Sequence, residues 1–312
     1  MSNLSTITIP GLPEQLAALQ SQIGNTPLFE LRHLFRKKKV SLFAKQEWMQ
    51  LSGSVKARAA YAIFRDALQK GLLGPGKILL DATSGNTGIA YAHIGKSLGI
   101  PVTLCLPENA SEERKQILKS LGAELILTSR FEGTDGAQEI ALAMAEKNPG
   151  LYFYADQYKN ENNWKAHYYG TGPEIINAVP GITHFVAGLG TTGTFVGTGR
   201  RLKRYNPAIQ LISLQPDNPL HGLEGWKHME TAVVPEIYDP LVADENLEVS
   251  TDEAYQLIKE AKEKEGLELS PSSAANIAGA IRVASRLEEG IVVTVLPDNG
   301  DKYGDTLKKI FK

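Results

Sequence analysis

The chain has 312 residues, of which 42% are hydrophobic and 22% charged, and its formal net charge is −2. That length exceeds what one core usually serves, so two lobes are expected, with the composition of a soluble globular protein. The near-neutral balance argues against a general nucleic-acid or membrane-surface binder, and the one basic run, Arg36-Lys37-Lys38-Lys39, reads as a solvated connection.

In chain order, Val55, Ala59, Ala60, Ile63, Phe64 and Leu68 recur at helical spacing, which predicts an amphipathic helix beginning near Ser54. Ile78–Ala82 reads as a strand and Thr87–Leu98 as a helix. Val102–Leu106 is the next strand. Ser111 then caps a helix through Leu121, with Glu112 and Glu113 in its first turn, where they favour the dipole. Glu124–Thr128 is a strand, followed by a helix from about Gly136 to Lys147. Further strands are expected at Leu151–Ala155, His184–Gly188, Ile209–Gln215 and Ile291–Pro297. Further helices are expected at Gly193–Tyr205, Thr251–Glu265, Ser273–Leu287 and Asp301–Phe311. This alternation predicts an α/β fold with parallel strands, whose ligands sit at the carboxyl ends of strands beside helix N-termini.

The single cysteine, Cys105, excludes an internal disulfide framework or thiolate metal site, and it reads as a buried inert thiol ahead of a catalytic one. The six histidines, His33, His93, His167, His184, His221 and His228, form no HxH or HExxH spacing, so no metal site is expected. No charged N-terminal region precedes a long apolar stretch, and no apolar run approaches a membrane span. A cytoplasmic protein is the expectation.

Three strand-to-helix turns carry chemistry-bearing residues. In Thr83-Ser84-Gly85-Asn86-Thr87-Gly88, polar side chains and backbone N–H groups meet a helix N-terminus, a receiver for a carboxylate. Alone, it reads more readily as a capping loop. Gly190-Thr191-Thr192-Gly193-Thr194 suits a single phosphate on a small cofactor, since glycines let N–H groups close around it and the threonines add neutral donors. It lacks the lysine of a nucleotide-triphosphate loop and is not GxGxxG; a tight turn that merely needs glycines stays open. Ser270-Pro271-Ser272-Ser273 opens a helix of small residues and reads alone as a serine cap. Lys56 falls in the first turn of its helix, where the dipole and desolvation favour a neutral amine, the form that makes Schiff bases. An exposed surface lysine is the alternative.

Ile23-Gly24-Asn25-Thr26-Pro27-Leu28, Ser52-Gly53-Ser54-Val55-Lys56, Thr83–Gly88 and Gly190–Thr194 occur in this order, joined by Leu106-Pro107-Glu108-Asn109, Thr171-Gly172-Pro173-Glu174-Ile175 and Gly300-Asp301-Lys302-Tyr303. Together they resemble the cysteine synthases, members of the fold-type II pyridoxal-phosphate enzymes, over about residues 20 to 306. Ile182–Gly188 looks most similar to the B-type members. The resemblance implies two lobes, each a mostly parallel sheet flanked by helices: a smaller mobile lobe at 50–157 that takes the substrate carboxylate, and a larger one from 1–49 plus 158–312 that takes the cofactor phosphate. It implies that Lys56 holds pyridoxal 5′-phosphate covalently, that Gly190, Thr191, Thr192, Gly193 and Thr194 cup its phosphate, and that Asn86 bonds its ring hydroxyl. Thr83, Ser84, Asn86, Thr87 and Gln157 are implied as substrate-binding residues, and Ser272 as the hydroxyl facing the pyridine nitrogen. A neutral serine there makes a shallower electron sink than a carboxylate, favouring β-elimination over transamination. The implied reaction makes L-cysteine from an activated serine: Lys56 takes the α-proton, a leaving group departs from Cβ, and sulfide or another sulfur donor adds. A homodimer is implied; a serine acetyltransferase partner is possible within the family but nothing in the sequence reports it.

Several positions depart from the family pattern. Ala57 replaces an aspartate, Gln50-Leu51 an Asn-Pro, Ser270 and Ala274 two glycines, and Pro271 an aliphatic residue; Pro297-Asp298-Asn299 stands where many relatives have serines. Gly222–Met229 occupies the segment that lies over the active-site mouth in relatives. Lys227 there, with His221 or His228, is expected either to face an anionic phosphate leaving group or to be a solvated loop lysine. The alternatives are a cystathionine β-synthase-type or serine/threonine dehydratase-type reaction, or a non-catalytic partner protein on the same fold. The end at Lys312 is expected to leave no room for a regulatory domain.

Overall fold

Parallel strands cannot be joined by tight turns, so each needs a crossover, and the alternating pattern supplies one after nearly every strand. The computed structural model describes residues 9–83 and 85–312. The elements begin with α1 (Leu12–Gln20), β1 (Leu28–Glu30), β2 (Val40–Gln46), α2 (Lys56–Gln69), β3 (Ile78–Ala82) and α3 (Asn86–Leu98). Then come β4 (Val102–Pro107), α4 (Glu112–Ser120), β5 (Glu124–Thr128), α5 (Gly133–Lys147), β6 (Tyr152–Tyr154) and α6 (Asn162–Ala166). They continue as α7 (Gly172–Ala178), β7 (His184–Gly188), α8 (Gly193–Tyr205), β8 (Gln210–Pro216) and β9 (Glu245–Val249). The last are α9 (Thr251–Glu265), α10 (Pro271–Arg286), β10 (Gly290–Leu296) and α11 (Gly304–Ile310).

The chain divides into two compact units. The first joins the residues up to Ile23 to Lys56–Asn162, and the second joins Gly24–Val55 to Asn163–Lys312. The expected lobe boundaries at 50 and 157 differ from these. Helix α1 belongs to the first unit because Leu16 and Leu19 are buried and the Tyr61 hydroxyl donates to the Leu16 carbonyl at 2.9 Å. Residues 50–55 belong to the second, where Val55 N–H donates to the Pro297 carbonyl at 2.8 Å.

In the first unit the strand order is β5-β4-β3-β6, all parallel, with Leu80 opposite both Thr103 and Tyr154. Strand β4 is buried at every position, as a strand covered on both faces must be. The Ser111 side chain caps α4 by accepting from Arg114 N–H. Helix α5 starts at Gly133, three residues before its expected start, with this glycine at φ 58°.

In the second unit the order is β1-β2-β10-β7-β8-β9; β1 is antiparallel and the rest are parallel. The two-residue period of β10 separates its faces. Val292 and Leu296 join α9 and α10 in one core cluster, while Val293 and Val295 join Phe185, Phe195 and Leu211 in the other. Asn299 caps a separate short turn at Gly300–Lys302, so α11 begins later than expected, at Gly304.

Candidate active site

Lys56 is the first residue of α2 and is half-buried. The turn before it is held within the second unit. Ser52 and Gly53 take φ 61° and 63°, and the Lys302 ammonium donates to their carbonyls at 3.3 and 2.9 Å. Ser54 is completely buried. This support for the lysine's approach comes from the Gly-Asp-Lys-Tyr motif near the chain's end, a role that no local pattern around Lys302 announces.

In the first unit, Thr83, Thr87 and Gln157 are buried and lie together. Thr87 Oγ1 donates to Gln157 Oε1 at 2.7 Å, and Gln157 Nε2 donates to the Ala82 carbonyl at 3.1 Å. Asp156, at φ 44°, turns the chain so that Gln157 reaches back to the end of β3. Thr83 N–H donates to the Cys105 carbonyl at 3.0 Å, and the Thr83 hydroxyl accepts from Gly85 N–H at 3.3 Å. A Cβ on Gly88 would meet Thr83 Cγ2 at 2.8 Å and Leu104 at 2.9 Å, so these side chains would have to shift. Asn86 opens α3. Ser84 lies outside the described residues.

Beneath this turn Asp81 is completely buried, and burial pushes its carboxyl up to about 7, against the Ala82 N–H that it accepts at 2.8 Å. Burial also raises the Tyr91, Tyr154 and Tyr158 hydroxyls, with the Asp81 charge adding to each. Sequence reading missed this cluster; Asp81 within an apolar strand was the available signal. Burial raises the Cys105 thiol to about 11, which leaves it an unreactive packing residue.

In the second unit, β7 ends at Gly188 and α8 starts at Gly193. A Cβ on Gly190 would meet the Gly225 carbonyl oxygen at 2.1 Å, and one on Gly193 would meet Asn163 Oδ1 at 2.0 Å. Thr192 caps α8 from the left-handed region, φ 72°. Its hydroxyl is buried and has no hydrogen-bond partner among the described residues. Thr191 Oγ1 accepts from Asn163 Nδ2 at 3.0 Å, and Thr194 Oγ1 bonds His167 Nε2 at 3.3 Å. His167 also bonds Thr171 Oγ1 at 2.8 Å across a π-helical turn at His167–Thr171. Asn163, His167 and Asn276 form a supporting layer that sequence reading did not find. Asn276 accepts from Gly188 N–H at 2.7 Å and donates to the Val295 carbonyl at 2.7 Å. Their types are ordinary for buried polar residues, and their partners lie far away in sequence.

Ser272 is the second residue of α10, 4% exposed, with its Oγ 3.3 Å from Ser270 Oγ. The segment 222–228 packs over the phosphate-type turn, since Lys227 N–H donates to the Leu189 carbonyl at 2.8 Å. The Lys227 ammonium donates to the Val233 carbonyl at 3.1 Å. His228 bonds Thr231 Oγ1 at 2.9 Å, and burial depresses His221.

The 190–194 turn fits a phosphate group. It places N–H donors at the N-terminus of α8, excludes any Cβ at two positions, and buries a threonine hydroxyl that a phosphate oxygen would satisfy. No group of carboxylates, histidines and cysteine suited to a metal occurs among the described residues, and none of their helices is long and apolar enough to cross a membrane.

Comparison with known proteins agrees with this geometry. The model of the pyridoxal-phosphate dependent enzyme family matches residues 19–298. The cysteine synthase of Aquifex aeolicus (strain VF5) is 48% identical, over 90% of this chain and 88% of that protein. The O-acetylserine dependent cystathionine beta-synthase of Bacillus subtilis (strain 168) is 38% identical, over 90% and 94%. The solved cysteine synthase of Entamoeba histolytica superposes with a TM-score of 0.87 at 31% identity, covering 98% of this chain and 92% of that one. With a family match over most of its length, relatives at this identity and a phosphate-type turn at the N-terminus of α8, the chain belongs to the pyridoxal-phosphate dependent enzymes.

Proposed function

We propose that this chain is a cysteine synthase, which replaces the acetate of O-acetylserine with sulfide to give L-cysteine. The Gly190–Thr194 turn carries the reading: its orphaned Thr192 hydroxyl and Cβ-excluding glycines suit a phosphate group. Bound pyridoxal phosphate supplies an electron sink for a carbanion at the substrate α-carbon.

Lys56 would hold the cofactor, and its amine would take the α-proton and later return one. Asn86 holds the cofactor's ring hydroxyl, and Ser272 faces its ring nitrogen. Thr83, Ser84, Thr87 and Gln157 take the substrate carboxylate. The chain works as a homodimer in the cytoplasm.

Acetate is the favoured leaving group, because the Bacillus subtilis relative is O-acetylserine dependent. A second reading, cystathionine formation with homocysteine as the sulfur donor, is favoured by the Bacillus subtilis relative. Visible spectra of the holoenzyme during titration with O-acetylserine and O-phosphoserine, followed by sulfide or homocysteine, test all of these. The expected result is a band that changes with O-acetylserine and returns on adding sulfide as cysteine appears. A response to O-phosphoserine alone, lost in Lys227→Ala, would move the leaving group to phosphate. Return with homocysteine and not sulfide would establish the second reading, and a chain that stays colourless with cofactor would end both.

A further inference from the structure

Two hydroxyls crowd one carbonyl at the start of α10, and a third hydroxyl lies against one of them. Ser273 Oγ donates to the Asp298 carbonyl oxygen at 2.6 Å. Ser270 Oγ lies 3.1 Å from Ser273 Oγ, 3.3 Å from the same carbonyl oxygen and 3.3 Å from Ser272 Oγ. Ser270 also caps the helix, accepting from Ser273 N–H at 3.2 Å. Ser270 and Ser273 are completely buried.

A hydroxyl has one proton and two lone pairs, so the network can be assigned by counting. The short bond to Asp298 takes the Ser273 proton. The Ser270 proton has an acceptor in Ser273 Oγ or the Asp298 carbonyl. One Ser270 lone pair takes Ser273 N–H, which leaves the other for Ser272.

We infer that Ser270 accepts the Ser272 proton and thereby turns the Ser272 lone pairs toward the ring nitrogen of bound pyridoxal phosphate, favouring the protonated nitrogen. The inference rests on the proposed placement of Ser272 at that nitrogen. Where the family pattern has glycine in place of Ser270, Ser272 has no such neighbour and can give its own proton to an unprotonated nitrogen. Ser270 is thus a positioning residue that acts through Ser272, and it deepens the electron sink that a lone serine would leave shallow.

The test is the NMR resonance of an isotope-labelled ring nitrogen in the holoenzyme. Ser270→Gly should move it from the pyridinium side toward free pyridine, and glycine preserves the helix cap well. Ser270→Thr keeps the hydroxyl and should restore the wild-type position, which a purely structural role would not require. Ser272→Ala should move the resonance and abolish its response to Ser270→Gly. If Ser272→Ala moves it and Ser270→Gly does not, the role of Ser270 is overturned while the placement of Ser272 survives. If neither moves it, the placement of Ser272 fails and the inference with it. A wild-type nitrogen already in the free-pyridine position overturns the inference directly.

Discussion

The turn at residues 83–88 and the turn at 188–194 both join a parallel strand to a helix, yet they are built from different materials. The first is held by side chains: Thr87 donates to Gln157, Gln157 to the Ala82 carbonyl, and Thr83 accepts from Gly85. In the second the backbone itself is closely packed, Gly190 against the Gly225 carbonyl and Gly193 against Asn163 with no room for a Cβ, while Thr191 and Thr194 bond Asn163 and His167 behind it. The difference follows from what each would hold. A cofactor phosphate stays through every turnover and suits rigid N–H donors. A substrate carboxylate comes and goes, and suits side chains that can exchange one partner for another. The backbone turn should therefore be sensitive to added atoms, and the side-chain turn to lost ones.

The largest effect should come from the lysine that neither turn contains. Lys56→Ala should remove the covalent attachment, seen as loss of the visible band, and lower cysteine formation by about 10³-fold. A variant that keeps both the band and the rate would remove the assigned base.

Asp81 should have the next largest effect, on stability. Burial raises its folded-state value from 3.8 to about 7, so the native state holds this proton more tightly than the unfolded chain does. The stability it contributes is complete below about pH 4 and is lost as pH rises through about 7, an amount of up to about 4 kcal/mol. Asp81→Asn should abolish that decline and leave the variant more stable than wild type above neutrality. Urea unfolding at about pH 4 and again above neutrality checks this, and parallel pH dependence in both proteins would contradict it.

Gly190→Ala sharpens the comparison directly. The new methyl would meet a backbone oxygen at 2.1 Å, and a backbone atom cannot swing aside as a side chain can. The cost should be about 1–3 kcal/mol, read as about 10–100-fold weaker retention of the cofactor on dialysis. Unchanged retention would mean that the turn does not hold the phosphate.

Much of the frame was legible from residues alone. Strands Ile78–Ala82, Glu124–Thr128 and His184–Gly188 and helices Gly193–Tyr205 and Thr251–Glu265 stand where periodicity and caps put them, because short apolar runs and amphipathic spacing mark them in the sequence. Strand β2 was missed because its run ends in Ala44-Lys45-Gln46, and Lys45 is buried with its ammonium paired to Glu174 and donating to the Thr26 carbonyl, both at 2.7 Å. Strand β9, Glu-Asn-Leu-Glu-Val, is polar because it lies at the sheet edge. At the site, the turns were visible as clusters of small polar residues, and the family resemblance gave them roles. Their supports, Asn163, His167, Asn276 and Lys302, were not visible, since each acts through a partner that folding brings from elsewhere in the chain.

Thr87→Val breaks the comparison at its smallest expected effect. Valine keeps the shape of threonine and removes the proton that goes to Gln157 Oε1 at 2.7 Å. That proton can serve one acceptor at a time, so an incoming carboxylate competes with Gln157 for it. Without it, the carboxylate loses a neutral hydrogen bond worth about 1 kcal/mol, and kcat/KM for O-acetylserine should fall by roughly fivefold, mainly through KM. Cofactor retention should stay at the wild-type level, because no backbone donor of the 190–194 turn is disturbed. Thr87→Ser, which keeps the hydroxyl, should recover most of the loss. If Thr87→Val instead released the cofactor while leaving KM alone, the division of labour between a side-chain clamp and a backbone cup would be wrong.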